Sequence, residues 1–182
     1  MLSIVTDRLI LRDVALADEP AMAALRMDPR VTQYNEYILS CTPEEVHAWI
    51  ASTIDHNSRV PRFSWNLTIV RREDGAILGW IGIGHGSAPE RGDLDFGYAL
   101  LPAYWGQGYA AEALRALLDW CFCHLDIQRI YGECDVRNPR SARVMLKAGM
   151  VEEPAPGAEG ERRFGVSREE GEAAGPTIAD RR

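Results

Sequence analysis

The stretch Leu100-Leu-Pro-Ala-Tyr-Trp-Gly-Gln-Gly-Tyr-Ala-Ala-Glu112 carries the most information about the fold. It joins a strand predicted at 93–101, whose residues alternate between two faces, to a long amphipathic helix predicted at 108–124. Gly106 and Gly108 lie between them, where the lack of side chains lets a ligand approach the backbone. The first N–H groups of a helix have no partners within it and favour an anion. The stretch therefore predicts a phosphate or pyrophosphate site.

Other strands and helices are predicted on both sides of this stretch. Runs rich in β-branched and aromatic residues predict strands at 63–70, 76–84 and 127–136. A helix predicted at 18–27 has Asp18 as its N-cap, and a second helix begins at Thr42 with a capping box. A third helix, at 138–148, has Asn138 as its cap. The mixture predicts one α/β (α+β) domain, which a chain of 182 residues can form by itself.

The composition excludes several classes of function. The net charge is -7, and no basic stripe marks a nucleic-acid partner. No apolar run is long enough to span a bilayer and no signal peptide is visible, so a cytoplasmic protein without a membrane partner is expected. The four cysteines form no C-x-x-C pair, and no two histidines have metal-ligand spacing. We predict no metal.

The C-terminal segment has a different composition. After Val151 it consists mostly of Glu, Arg, Gly, Pro and Ala, and Phe164 is its only aromatic residue. A segment of this kind buries little apolar surface. A short strand around Phe164 is compatible with the sequence, but disorder is expected beyond Glu169. The predicted boundaries are therefore a domain at 1–168 and a disordered tail at 169–182.

Two other interpretations of the glycine loop remain open. The glycines could serve only to turn the chain. Alternatively, Gly106-x-Gly108-x-x-Ala111 fits a dinucleotide-binding pattern, and Asp126 follows at about the expected distance of twenty residues from Gly106. Against that pattern, residues 102–105 separate the strand from the first glycine. In addition, Asp126 precedes the next strand instead of following it. A thermal-shift measurement with NAD would test the dinucleotide interpretation.

Several segments resemble the GNAT superfamily, and within it the RimJ/RimL-like ribosomal-protein N-acetyltransferases. They are Thr6–Arg12, Asp28–Thr32, Gly97–Tyr98, Tyr104–Glu112, Asp135–Ser141 and Lys147–Gly149. They occur in the family's order over about residues 4 to 152. The resemblance implies a mixed, mostly antiparallel sheet flanked by about four helices. It also implies transfer of an acetyl group from acetyl-CoA to a peptide or protein N-terminus or to a small amine.

The sequence departs from the family pattern at two places. Trp105 stands where the general motif has Arg or Gln, and the segment from Pro154 onward does not resemble the family's hydrophobic last strand. The second departure leaves an alternative function open, a catalytically weak module that binds acyl-CoA and acts as a sensor or partner. Measuring thiol release with a panel of amines would separate the two.

The resemblance also assigns roles to individual residues. Cofactor binding falls to Tyr98, Leu100, Leu101, Trp105, Gly106, Gln107, Gly108, Tyr109, Ala110 and Asn138. Asp95 is the first candidate for the base that activates the amine and Glu36 the second, and Ser141 or a nearby tyrosine is the candidate for protonating the leaving thiolate. The expected acceptor groove contains Tyr34, Asn35, Glu36, Tyr37 and Trp80. Neither the acceptor nor the oligomeric state follows from the sequence.

Overall fold

A computed structural model describes residues 1–34, 42–85, 93–154 and 160–173. The strands in these ranges are β1 (Ser3–Val5), β2 (Leu9–Asp13), β3 (Ser64–Arg71), β4 (Ile77–His85), β5 (Asp93–Leu100), β6 (Arg129–Asp135), β7 (Val151–Glu153) and β8 (Glu161–Ser167). The helices are α1 (Glu19–Arg26), α2 (Pro29–Thr32), α3 (Pro43–Ser58), α4 (Tyr109–His124), α5 (Pro139–Lys147) and α6 (Arg168–Ala173).

The eight strands form one sheet in the order β1-β2-β3-β4-β5-β6-β8-β7. Every neighbouring pair is antiparallel except β5 and β6, which run parallel. Among the described helices, α1, α3, α4 and α5 have eight or more residues, while α2 and α6 are shorter. The predicted mixed, mostly antiparallel sheet with about four helices is therefore confirmed.

The helices cover both faces of the sheet. On the face covered by α4 and α5, the α4 face, a large core contains Leu67, Leu94, Leu114, Leu117 and Phe164. On the face covered by α1 and α3, the α3 face, a smaller cluster contains Met22, Leu25, Val46, Ile50 and Ala99. Because side chains alternate along a strand, β5 contributes to both faces. This alternation decides which of its residues lie near which helices.

Asp18 precedes α1 as predicted, but its side chain does not cap the helix. The carboxylate pairs with Arg12 at 2.6 and 2.8 Å, and it accepts hydrogen bonds from Thr68 Oγ1 at 2.6 Å and the Ala15 N–H at 2.9 Å. It is 1% exposed. The expected capping role is wrong because Arg12 and Thr68 lie on neighbouring strands and draw the carboxylate into the sheet.

The C-terminal segment contains a strand that completes the sheet. β8 lies between β6 and β7 and is antiparallel to both. Phe164 is 0% exposed, and Val166 is buried beside it on the α4 face. Arg162 pairs with Glu152 across the strands at 2.7 Å. The segment from Pro154 onward does not resemble the family's hydrophobic last strand, but the short strand that the sequence allows around Phe164 does form, because two apolar residues and cross-strand ion pairs are enough to hold it.

The short helix α6 follows β8 directly. Arg168 donates hydrogen bonds to three carbonyl oxygens at and after the end of α4, those of Phe122, Leu125 and Ile127, at 2.8, 2.7 and 3.0 Å. Gly171 lies against the Phe122 ring. Residues 169–173, predicted to be disordered, are therefore helical. Residues 174–182 lie outside the described residues, and the domain boundary stays a prediction.

Candidate active site

The loop between β5 and α4 contains two glycines in the left-handed conformation. The angle φ is +76° at Gly106 and +84° at Gly108, values that other residues rarely adopt. Gly108 is the N-cap of α4, so the N–H groups of Tyr109 and Ala110 have no partner within the helix. The loop therefore presents donors at the positive end of a 16-residue helix, an arrangement that favours phosphate.

The start of the chain holds this loop in place. Arg8 Nε donates to Glu112 at 2.6 Å, Arg8 Nη1 donates to the Gln107 carbonyl at 3.1 Å, and the guanidinium lies 4.5 Å from the centre of the Tyr109 ring. Thr6 Oγ1 also donates to Glu112, at 2.6 Å. Burial would raise the pKa of Glu112, but the hydrogen bonds from Thr6 and Arg8 lower it overall. Glu112 is therefore a charged anchor for the first turn of α4.

The edge of β5 becomes free where the sheet divides. β5 and β6 pair only from Asp93 to Asp95. The Leu101 N–H donates to β4 at 2.9 Å, and backbone groups alternate in direction along a strand. The backbone groups of Tyr98 and Leu100 therefore point away from β4, toward the opening. An extended ligand with amide groups can pair with such an edge.

A cavity of about 570 Å³ lies beside the loop and the open edge. Nine of the predicted site residues line it: Tyr98, Leu100, Trp105, Gly106, Gly108, Tyr109, Ala110, Asn138 and Ser141. Four cations also line it: Arg30, Arg140, Arg143 and Lys147. None of the described residues that line the cavity is acidic. A concave site with this charge favours an anionic ligand.

Three predicted residues lie outside the cavity lining. The Leu101 N–H donates to the Leu78 carbonyl of β4 at 2.9 Å, and the exposed Gln107 side chain donates to the Ala103 carbonyl at 3.0 Å. The third is Asp95. The four cations were not predicted, although the spacing 140, 143 and 147 places three of them along one side of a helix. That spacing was a signal in the sequence.

Two hydroxyl groups meet in the cavity. Tyr98 Oη lies 2.8 Å from Ser141 Oγ, and either can be the donor. Asn138 caps α5 by accepting a hydrogen bond from the Ser141 N–H at 3.1 Å, which fixes Ser141 in the first turn. Burial raises the pKa of Tyr98 well above its ordinary value, and the hydrogen bond with Ser141 offsets only part of this. Tyr98 therefore stays protonated at neutral pH.

Asp95 lies at the point where β5 and β6 separate. Its register partners are Gly84 on β4 and Tyr131 on β6. It alternates with Tyr98, so its side chain is on the α3 face, opposite Ser141. Burial raises the pKa of Tyr131, and the negative charge of Asp95 raises it further. The two catalytic candidates thus flank β5 from opposite faces.

The expected acceptor groove is only partly described. Trp80 lies on the α3 face, where its ring packs edge-on against Trp49 with centres 6.0 Å apart. Tyr34 is exposed. Asn35, Glu36 and Tyr37 lie outside the described residues.

The sequence and the fold agree on the family. The family described as "Acetyltransferase (GNAT) domain" matches residues 8–151. The chain belongs to the GNAT acetyltransferase family. As predicted, it is an acyltransferase enzyme of the N-acetyltransferase kind, and GNAT acetyltransferases use acetyl-CoA. None of the helices in the described ranges is long and apolar enough to cross a membrane.

Individual proteins with similar sequences and structures support the assignment. The chain is 30% identical over 165 residues to the FsC-acetyl coenzyme A-N(2)-transacetylase of Aspergillus fumigatus, covering 80% of this chain and 68% of that protein. The solved acetyltransferase of Agrobacterium tumefaciens is 27% identical, with a TM-score of 0.75 over 91% of this chain and 94% of that one. The ribosomal-protein-S5-alanine acetyltransferase of Vibrio fischeri is 19% identical, with a TM-score of 0.74 over 92% and 97%, and is similar in fold.

Proposed function

We propose that this GNAT acetyltransferase transfers the acetyl group of acetyl-CoA to a primary amine, which is a peptide or protein N-terminus or a small amine. The observation that carries the proposal is the cavity beside the glycine loop, where four cations and the N-terminus of α4 meet and no described lining residue is acidic. In a chain with a net charge of -7, this local positive charge favours an anionic donor. The relatives differ in their named acceptors, so the acceptor class stays broad.

The donor contacts follow from the geometry of the loop and the strand edge. The N–H groups from Gly106 to Ala110 would hold the pyrophosphate, with Trp105 and Asn138 on either side of it. Each charge-assisted hydrogen bond of this kind contributes roughly 1.5–3 kcal/mol. The backbone groups of Tyr98 and the N–H of Leu100 would pair with the amides of the pantetheine arm, while the Leu100 carbonyl accepts a hydrogen bond from the Trp105 indole. This pairing would direct the thioester toward the place where β5 and β6 separate.

Two proton transfers accompany the reaction. Acetyl-CoA supplies an activated acetyl thioester. The amine forms a bond to the carbonyl carbon, the carbon–sulfur bond breaks, the amine loses a proton and the sulfur gains one. Asp95 would accept the amine proton, directly or through water, and Ser141 would protonate the sulfur. Tyr98 Oη, which lies 2.8 Å from Ser141 Oγ, would orient the Ser141 hydroxyl, and water would return a proton to Ser141 after the thiol leaves.

The opposite positions of these groups support the division of roles. Ser141 is on the α4 face, beside the cavity proposed for the donor, whereas Asp95 is on the α3 face. An amine that reaches the opening from the α3 face would meet Asp95 before it meets the thioester. The leaving sulfur would remain on the side of Ser141. The base and the acid therefore do not compete for one position.

The test is an assay of free thiol release from acetyl-CoA with a panel of acceptors, including peptides with free N-termini and polyamines. We expect acetylated product by mass spectrometry with at least one class. Ser141→Ala should lower kcat at least tenfold and leave acetyl-CoA affinity within about twofold, since a tenfold effect corresponds to 1.4 kcal/mol. The matched control is Ser58→Ala, because Ser58 is exposed on α3.

The same thiol-release assay also tests the alternative function, a sensor module. The difference of the C-terminal segment from the family's last strand motivated that alternative, and β8 removes this motive because it completes the sheet. Acetyl-CoA binding without transfer to any acceptor would favour the sensor. A protein that does not bind acetyl-CoA would refute both functions.

A further inference from the structure

Two cations in the cavity have no partner among the residues that the structure describes. Arg143 and Lys147 lie on α5 and line the cavity, and neither makes a hydrogen bond, an ion pair or a ring contact with any described residue. Every other described arginine contacts a carboxylate, a backbone carbonyl or an aromatic ring. Lys147 is also the only lysine of the chain. Unpaired positive charge is thus concentrated at one wall of the cavity.

These cations extend the positive surface away from the glycine loop. Arg140, at the start of the row, has its guanidinium carbon 5.5 Å from the centre of the Trp105 ring and therefore adjoins the loop. Lys147 follows seven residues later, and a helix rises 1.5 Å per residue, so the row is about 10 Å long. Arg143 and Lys147 lie one and two turns beyond Arg140. Their positive charge is therefore separate from the N–H groups of the loop.

The donor of the proposed function has a phosphate for each of these places. Coenzyme A carries a pyrophosphate and, on its ribose, a separate 3′-phosphate of charge about -1.5 to -2, as a phosphate monoester has at neutral pH. If the loop holds the pyrophosphate, the 3′-phosphate remains exposed on the nucleotide end. Arginine binds phosphate with two parallel hydrogen bonds, and lysine binds it as a mobile point charge. The pair suits a phosphate monoester.

We propose that Arg143 and Lys147 bind the 3′-phosphate of coenzyme A and so make the enzyme selective for CoA over dephospho-CoA thioesters. This inference rests on the proposed function, since it takes the same donor in the same cavity. A purely structural role of these two cations predicts a different result. A cation in the last turn stabilises a helix through its dipole without any ligand, and such a role would not distinguish the two nucleotides.

The first experiment measures the affinities of CoA and dephospho-CoA by calorimetry. We expect CoA to bind at least tenfold tighter to the wild-type protein. Arg143→Gln and Lys147→Gln should each reduce this preference about threefold or more and leave the affinity for dephospho-CoA within about twofold, because only the 3′-phosphate contact is lost. The control, Arg59→Gln, removes the same charge from exposed α3 and should keep the preference.

Three outcomes would overturn the inference. Equal binding of both nucleotides to the wild-type protein would refute 3′-phosphate recognition and leave the proposed function intact. An equal loss of affinity for both nucleotides in the two variants would assign the cations to another part of the donor. Failure of both nucleotides to bind would refute the proposed function as well.

The single lysine allows a second measurement that does not depend on activity. An amine-selective reagent can modify only Lys147 and the N-terminal amine, and mass spectrometry separates the two products. CoA should protect Lys147 from modification, whereas dephospho-CoA at equal occupancy should protect it much less. Equal protection by both nucleotides would show that the lysine is merely covered by the nucleotide and would refute its contact with the 3′-phosphate.

Discussion

The two faces of the sheet are stabilised in different ways. The α4 face is filled by a broad apolar core, next to which Asp119 of α4 is buried 3.6 Å from Arg115. The α3 face has a smaller apolar cluster, next to which lie the buried pair of Asp18 and Arg12 and the packed rings of Trp49 and Trp80. Packing is insensitive to pH, whereas a buried carboxylate depends on it. We therefore expect the stability of the α4 face, where the proposed donor cavity lies, to depend less on pH than the stability of the α3 face.

The largest expected effect comes from emptying the core of the α4 face. Phe164→Ala removes a fully buried ring from β8 and should lower the free energy of unfolding by about 3–5 kcal/mol, the usual cost of such a cavity. Urea denaturation measures the loss. Val151→Ala, on the exposed edge strand β7, is the control and should cost about 0.5 kcal/mol or less. A small effect of Phe164→Ala would mean that β8 adds little to the stability of the core on the α4 face.

The next effect is on the α3 face. Asp18→Ala removes the buried carboxylate from the partly exposed Arg12 and leaves the Thr68 hydroxyl unpaired, so it should cost about 2 kcal/mol, less than for a fully buried pair. The control is Asp55→Ala, which breaks an exposed pair with Arg59 and should cost less than about 1 kcal/mol. Thermal or urea denaturation at neutral pH compares the two. Similar losses for both variants would contradict the buried-pair account.

The same residue predicts how the protein responds to acid. Burial would raise the pKa of Asp18, but hydrogen bonds from Arg12, Thr68 and Ala15 lower it below its ordinary value of 3.8. Its contribution is therefore fully present above that value and disappears as the pH falls through the lower, folded pKa. Asp18→Ala should lose this part of the acid sensitivity. Parallel pH profiles of the two proteins would assign acid denaturation to other groups.

A third prediction concerns catalysis on the α3 face. Asp95→Asn should lower kcat about tenfold to a hundredfold at neutral pH, in the lower range for loss of a general base. Part of the rate should return at high pH, where the amine loses its proton unaided, and acetyl-CoA affinity should hardly change. Asp93→Asn is the matched control on the same strand and face. A wild-type rate across the pH range would remove Asp95 from the mechanism.

The smallest effect is expected at the C-terminus. Deletion of residues 169–182 removes α6 but keeps Arg168 and its hydrogen bonds to the end of α4. The deletion removes the packing of Gly171 against Phe122 and the exposed hydrogen bonds of Glu170 with Ser167, so the melting temperature should fall by a few degrees at most. Acetyl-CoA binding should be unchanged. A large fall in the melting temperature would mean that this segment packs against the core of the α4 face.

The parts that sequence predicts well are those with local signals. The helix at α4, its glycine loop and the Asn138 cap of α5 follow from residues that are neighbours in the chain. The family resemblance also ordered these elements correctly. These features could be predicted because each sequence signal lies within a few residues of the structure that it specifies.

The parts that it predicts poorly depend on distant partners. β8 has only two strongly apolar buried residues, Phe164 and Val166, and its stability comes from pairing with β6, about thirty residues earlier. Strand preference depends on such context more than helix preference does. Asp18 was misassigned because Thr68 lies fifty residues away in the chain. The acceptor site was out of reach for a related reason, since much of it was expected at 34–37, of which the structure describes only Tyr34.

The hydrogen bond from the Trp105 indole to the Leu100 carbonyl, 2.7 Å long, closes one end of the free edge of β5. A donor arm that pairs with this edge cannot use the Leu100 carbonyl. The pairing of the arm therefore ends before that carbonyl. Equivalent positions along a strand recur every two residues, about 6.6 Å, and a slip of that size would carry a thioester past the Tyr98 hydroxyl. The Trp105 indole would thus fix the register of the donor arm along β5.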